Sequence, residues 1–69
     1  MSDAVYSVTE IVGSSNKSIE EAIKTGIATA SKSLRNLSWF EVKEIRGDIS
    51  GADIRHYQVV MKVGFRYEK

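Results

Sequence analysis

The sequence predicts an α+β domain in which one helix packs on one face of a three-stranded antiparallel sheet, in the order strand, helix, strand, strand. Segments rich in Val, Ile, Tyr and Thr fall at Ala4–Val12, from Trp39 to about Ile49, and at Ile54–Tyr67. Between the first two, apolar residues recur every three or four positions, as in an amphipathic helix. The chain has no proline and no low-complexity tract, so we expect residues 1–69 to form one domain.

The first strand is expected to end in a turn at Gly13–Asn16, and the helix to begin at Ser18. Ser18 stands three residues before Glu21, the spacing of a capping box, in which each side chain binds a free backbone N–H group. The apolar stripe of the helix comprises Ile19, Ala22, Ile23, Gly26, Ile27, Ala30 and Leu34. Glycine costs a helix about 1 kcal/mol relative to alanine, so Gly26 indicates a close approach to the sheet. Asn36 is the predicted helix stop.

The second and third strands are predicted to form a hairpin around a turn at Ser50–Asp53. In the third strand, odd-numbered residues from Tyr57 to Tyr67 share the face toward the helix, and even-numbered residues from His56 to Arg66 share the other. In the second strand, Phe40 and Val42 fit the helix side, and Trp39, Glu41 and Lys43 fit the opposite side. Trp39 and Gln58 therefore face the same way.

Two features of the sheet stay open. The alternation of polarity weakens after Lys43, which predicts a bulge or a strong twist in the second strand and leaves the direction of Arg46 undecided. The helix joins the first strand to the second, so these strands are either neighbours or separated by the third.

The small size of the chain predicts self-association. A single core in 69 residues rarely supplies more than about 3–5 kcal/mol. The chain has no cysteine and one histidine, His56, so disulfides and a Cys/His metal site are excluded as supports. Oligomerisation remains, and one helix cannot cover both faces of a sheet. We therefore expect the Trp39 face to be covered by copies of the same chain.

The charge balance argues against nucleic acid as a partner. Ten Lys and Arg residues nearly cancel nine Asp and Glu residues, for a formal net charge of +1. Nucleic-acid binders of this size usually carry a strong basic excess. The N-terminus lacks a basic start followed by a long apolar run, so we expect no signal peptide, no membrane span and a cytoplasmic protein.

Trp39 and Gln58 are the candidate binding residues of the face that the helix leaves free. A tryptophan on a sheet face is either an anchor at a subunit interface or a platform for a planar heteroaromatic ring. The amide of Gln58 is either a solvated strand side chain or a partner for a pyrimidine-like ring edge, since it offers donors and an acceptor in one plane. The face on which Trp39 and Gln58 lie does not by itself decide between these roles.

The chain resembles the dodecin family over nearly its whole length. The resemblance rests on the order of the elements, on Trp39 within Ser38-Trp39-Phe40-Glu41-Val42, and on Tyr57-Gln58-Val59 in the last strand. Dodecins are small flavin-binding proteins that assemble as hollow dodecamers. The resemblance implies that Trp39 stacks on an isoalloxazine ring and that Gln58 hydrogen-bonds its pyrimidine edge. It also implies two flavins between paired tryptophans at a twofold axis, so that the site exists only after assembly.

Arg46 and Arg66 are candidates for the phosphate of a flavin, because arginine binds phosphate through two parallel hydrogen bonds. Ion pairs with Glu41, Glu44 or Glu68 are the alternative for both residues. The near-neutral chain departs from the strongly acidic haloarchaeal dodecins, which favours FMN; riboflavin and FAD remain open. Coenzyme A is a further ligand that the sequence leaves open.

The predicted function is storage or sequestration of a flavin, which would protect or buffer the cofactor without transforming it. The alternative is a structural self-assembly or interaction module without a cofactor. We do not expect an enzyme, because one histidine without a Ser, Cys or metal-ligand cluster is weak support for catalysis. Glu41 and Glu44 lie three apart on a strand, so they should point to opposite faces and form no catalytic pair.

Overall fold

The computed structural model describes residues 3–67 and contains the four elements in the predicted order. They are β1 (Tyr6–Ser15), α1 (Ile19–Ala30), β2 (Leu37–Ser50) and β3 (Asp53–Arg66). The sheet has the order β1-β3-β2, and both strand pairs are antiparallel. This confirms the predicted fold class and chooses between the two open strand orders. That residues 1–69 form one domain extends beyond the described residues and stays a prediction.

The first strand is longer than predicted. Gly13, Ser14 and Ser15 pair with Val59, Gln58 and Tyr57 of β3, so the turn expected at Gly13–Asn16 is wrong. Glycine and serine resemble a turn in composition, but here they continue the strand, and the helix crosses close above Gly13. A Cβ atom at Gly13 would overlap the backbone carbonyl of Ala22.

The helix begins as predicted and ends early. The Ser18 hydroxyl accepts a hydrogen bond from the backbone N–H of Glu21 at 3.0 Å, which confirms the N-cap. The helix ends at Ala30, not at Asn36. Asn36 instead has a φ of 62°, a left-handed conformation that asparagine tolerates, and it leads the chain into β2. No helix within residues 3–67 is long and apolar enough to cross a membrane.

The core lies between α1 and the central strand. Ala22, Val59 and Met61 are fully buried and Val63 is 1% exposed, which confirms that the odd-numbered residues of β3 face the helix. Partly buried apolar side chains surround this cluster: Ile11, Ile23, Ile27 and Leu37. A Cβ at Gly26 would lie 2.8 Å from Cε of Met61 and 3.3 Å from Cα of Gly13, so the predicted close approach at Gly26 is confirmed.

The helix covers β1 and β3 but leaves β2 largely bare. Phe40 and Val42 pair with Val63 and Met61, which places them on the helix side as predicted. They nevertheless remain 45% and 39% exposed, and Ile45 on the same side is 53% exposed. The fold therefore has apolar surface in water on both sides of the sheet.

A bulge at Lys43 is confirmed by the pairing of β2 with β3. Val42 is opposite Met61 and Glu44 is opposite Val60, so Lys43 is the extra residue. The bulge restores Ile45 to the helix side and directs Arg46 to the opposite side, beside Gln58. It also brings Glu41 and Glu44 onto the same face, since their partners Lys62 and Val60 are two residues apart. The expectation that these carboxylates face apart is wrong, because it assumed an unbroken alternation.

The close contact of helix and strand predicts different costs for two glycine substitutions. Gly13→Ala should destabilise the fold by about 1–3 kcal/mol, because its methyl group meets backbone that cannot move independently. Gly26→Ala should cost less, since it meets the flexible end of Met61 and gains helix propensity. Urea unfolding at one protein concentration measures both. Equal losses for the two variants would contradict this account of the contact.

Candidate functional site

The face of the sheet opposite α1, hereafter the open face, combines apolar and charged side chains. Cross-strand partners lie on the same face, so the strand register assigns its members. They are Tyr6, Val8, Glu10, Val12 and Ser14 of β1, Trp39, Glu41, Glu44, Arg46 and Asp48 of β2, and His56, Gln58, Val60, Lys62, Gly64 and Arg66 of β3. Val8 and Val12 are about half exposed. Such a mixture is typical of an interface or a ligand surface.

The Trp39 indole lies directly over Gly64. The two residues are cross-strand partners, and a Cβ atom at Gly64 would overlap Cε2, Cζ2 and Cη2 of the indole at nearly equal distances. Equal distances to three neighbouring ring atoms place that point over the face of the six-membered ring and not at its edge. One face of the indole therefore rests on the β3 backbone, while the residue remains 42% exposed.

Tyr6 is the second aromatic residue at this position. Its ring centroid lies 5.3 Å from that of Trp39, with an angle of 67° between the ring planes. Sequence reasoning singled out neither Tyr6 nor Gly64. A glycine in the interior of a strand often marks a close approach by another group, so Gly64 could have been noticed. That the approaching group is Trp39 follows only from the strand register.

Arg46 and Gln58 form a second cluster. They are cross-strand partners, and Nε of Arg46 donates a hydrogen bond to Oε1 of Gln58 at 2.9 Å. A terminal nitrogen of Arg46 lies 4.0 Å from a carboxylate oxygen of Glu44. This is the weak ion pair that the sequence analysis gave as an alternative role for Arg46. The contact to Arg46 fixes the orientation of the Gln58 amide.

The structure does not bring Trp39 and Gln58 together within one chain. Gly64, which carries the indole, is six residues from Gln58 along β3, a separation of about 20 Å. Arg66 lies two residues beyond Gly64 and opposite Tyr6, at the Trp39 end of the face. Glu68, one suggested partner of Arg66, lies outside the described residues. Within one chain, the indole and the Gln58 amide are therefore too far apart to contact each other directly.

The single histidine belongs to a cluster of polar side chains near the hairpin turn. Nδ1 of His56 lies 3.4 Å from one carboxylate oxygen of Asp48, and Nε of Arg55 lies 3.6 Å from the other. Within residues 3–67, no group of three or more His, Cys, Asp or Glu side chains is placed to hold a metal ion. The cluster connects β2 to β3 and contains no nucleophile.

An ion pair crosses the open face above the central strand. Nζ of Lys43, at the bulge of β2, lies 2.9 Å from a carboxylate oxygen of Glu10 in β1. The hydrogen bond from Lys43, followed by its charge, lowers the pKa of Glu10, and Lys62 adds to this effect. The same hydrogen bond to Glu10 raises the pKa of Lys43.

Comparison with known proteins gives one consistent family. A sequence model of the Dodecin family matches residues 5–68. The dodecin of Thermus thermophilus is 54% identical over 65 residues, which cover 94% of each chain. Among solved structures, a dodecin from Streptomyces davaonensis has a TM-score of 0.94 and 50% identity, covering 99% of this chain and 100% of that one. A dodecin from Streptomyces coelicolor has a TM-score of 0.95 and 43% identity, covering 100% and 99%.

The Glu10–Lys43 pair predicts a pH dependence of stability. The pKa of Glu10 is lowered from 4.5, so the contribution of its carboxylate is present above pH 4.5 and is lost as the pH falls through the folded pKa. The pKa of Lys43 is raised from 10.5, so its contribution is lost as the pH rises through the folded pKa. The stability difference between the wild type and Lys43→Met should thus be constant near neutral pH and shrink in acid.

Urea unfolding over a pH series measures this difference, and NMR titration gives the pKa of Glu10 directly. In Lys43→Met the pKa of Glu10 should return toward 4.5. Lys32→Met, in the loop after α1, is the control and should leave it unchanged. An unchanged pKa of Glu10 in Lys43→Met would contradict the claim that Lys43 interacts with Glu10.

Proposed function

The chain belongs to the dodecin family, a family of small flavin-binding proteins, and we propose that it binds the isoalloxazine ring of a flavin on the outer face of Trp39. The observation that carries the proposal is the position of the indole. It lies flat over Gly64 on a face that the helix does not cover. Offset stacking of aromatic rings adds about 0.5–1.5 kcal/mol to the gain from burying their surfaces.

Gln58 of a second chain completes the proposed site. Its amide presents donors and an acceptor in one plane, which matches a ring edge of alternating carbonyl and N–H groups. The separation of about 20 Å between Gly64 and Gln58 along β3 favours an arrangement in which the two contacts come from different chains. A twofold axis supplies this arrangement, since each chain then gives its Trp39 to one half of the site and its Gln58 to the other.

Self-assembly of the chain is part of the proposal. Phe40, Val42 and Ile45 leave apolar surface in water on the helix side of β2, and Val8 and Val12 do so on the open face. Exposed apolar patches of this kind mark contact surfaces in small proteins. We infer a homo-oligomer, and the dodecamer is the assembly that the family implies.

The proposed role is storage or sequestration of flavin in the cytoplasm, without turnover. The contacts of the indole are the ring of Tyr6 and the backbone of Gly64, which form no pair of nucleophile and general base. His56 lies at the opposite end of β3 and is paired with Asp48. The alternative, an assembly module without a cofactor, would use the same surfaces and differs only in leaving the indole unstacked.

Arg66 is the better candidate of the two arginines for a phosphate group. It lies at the Trp39 end of the open face, two residues from Gly64. Arg46 already donates to Gln58 and lies near Glu44, so its role is to orient the amide. A phosphate partner for Arg66 favours FMN over riboflavin, while FAD and a second ligand such as coenzyme A remain further candidates.

Replacement of Trp39 tests the site. Trp39→Ala should lose bound flavin and the quenching of flavin fluorescence, while Trp39→Phe, which keeps a ring, should retain part of both. Flavin titration followed by fluorescence, with the mass of each variant in solution, measures binding and assembly separately. A colourless wild-type oligomer that ignores added FMN would instead support the assembly module, and a stable monomer would contradict both functions.

Replacement of Arg66 tests the phosphate contact. Arg66→Gln should weaken FMN binding by about tenfold, because it removes a charge-assisted hydrogen bond, and should leave riboflavin binding unchanged. Arg55→Gln, near Asp48 at the other end of the hairpin, is the matched control and should alter neither affinity. Equal weakening of both flavins by Arg66→Gln would assign this residue to assembly and remove it from the ligand site.

A further inference from the structure

Two residues without an assigned role hold the Trp39 indole from different sides. We propose that Gly64 and Tyr6 are positioning residues for Trp39: Gly64 is the surface on which the ring lies, and Tyr6 prevents the ring from swinging along it. Together they set the angle at which a flat ligand can stack. This inference rests on the proposed flavin site for its function, but the behaviour of the indole that it predicts requires no ligand.

Gly64 is required by space and not by backbone conformation. Among the described residues, only Gly51 is a glycine with positive φ, so the backbone at Gly64 suits any residue. A glycine inside a strand lowers strand stability and gives no side chain to pack. What Gly64 provides is an uncovered stretch of backbone, over which the six-membered ring of Trp39 lies face down. Any side chain at this position would push the ring outward.

Tyr6 supplies the second constraint. A flat support fixes the height of a ring but leaves it free to slide, and the outer torsion of a tryptophan side chain has broad minima. Trp39 reaches from β2 across the central strand, and Tyr6 comes from β1 on the far side of that strand. Its ring meets the indole at 5.3 Å and 67°, an edge-to-face contact of favourable geometry. Tyr6 therefore blocks movement of the indole toward β1.

The two contacts determine which surface a ligand meets. Gly64 occupies one face of the indole and Tyr6 contacts the ring from β1, so a planar ligand has only the outer face. Stacking depends on nearly parallel planes, and a ring lifted by a side chain at Gly64 or released by loss of Tyr6 would overlap less with its ligand. The pair thus selects for flat, wide ring systems at one fixed tilt.

The fluorescence of the only tryptophan tests this without flavin. In the ligand-free protein, Tyr6→Ala should give a faster local component in time-resolved anisotropy and a weaker near-ultraviolet circular dichroism band of the indole. Tyr6→Phe should restore both, because the ring and not the hydroxyl makes the contact. Tyr67→Ala, which removes an exposed tyrosine just after β3, is the control and should leave both signals unchanged.

A stability cycle tests the role of Gly64. Gly64→Ala should lower the urea midpoint when Trp39 is present and should leave it unchanged or raise it in a Trp39→Ala background, where the overlap is gone. Equal losses in both backgrounds would overturn the assignment of Gly64. Unchanged indole signals in Tyr6→Ala would overturn the assignment of Tyr6. This test does not depend on Gly64→Ala, so it still applies if that variant does not assemble.

Flavin binding connects these results to function. Titration with FMN should show a loss of affinity of about two- to tenfold for Tyr6→Ala, the range of an aromatic pair, and of about tenfold or more for Gly64→Ala. Unchanged FMN affinity in variants whose indole has moved would reject the role in ligand positioning. If the wild type binds no flavin, the proposed function fails, and the ligand-free measurements still decide whether Gly64 and Tyr6 hold the indole.

Discussion

One short helix on a long sheet is the constraint on which the rest of the structure depends. The helix has 12 residues and spans about 18 Å, while β2 and β3 each have 14 residues and span about 46 Å. The described part of the chain accordingly measures 56 Å in its longest dimension and 13 Å in its shortest. Most of β2 and the whole open face lie beyond the reach of the helix. Burial of this surface requires other chains, and the candidate site lies on it.

The bulge at Lys43 gives the long hairpin its functional arrangement. Without it, the alternation set by Phe40 and Val42 would turn Ile45 to the open face and Arg46 to the helix side. One extra residue reverses this and pairs Arg46 with Gln58. The bulge also places Lys43 where it reaches Glu10 across the central strand. A single inserted residue thus separates apolar from polar side chains along the outer half of β2.

The sequence was sufficient for the order of the elements, the helix stripe from Ile19 to Ala30, the hairpin and the common face of Trp39 and Gln58, because these depend on local periodicity; Leu34, also assigned to the stripe, lies beyond the end of the helix. It was misleading at Gly13–Ser15, where residues that usually form turns instead continue the strand, and Gly13 allows the helix to approach it. The direction of Arg46 and the partner of Gly64 depend on strand register, which a bulge shifts and which no local pattern reports. The distance between Trp39 and Gln58 could also not be predicted without the strand register. Alternation along a strand shows which face a residue is on, but not how far it lies from a residue of another strand.

The proposed site couples ligand binding to assembly. If the indole and the amide that contact one flavin belong to different chains, a ligand that binds only the assembled form stabilises that form in proportion to its concentration relative to its dissociation constant. The coupling is reciprocal, so whatever strengthens the contact between chains also tightens the hold on the flavin. The proposed support of the indole by Gly64 then favours both assembly and flavin binding. It holds the indole in place before the second chain or the flavin binds, which lowers the entropy cost of ordering the site.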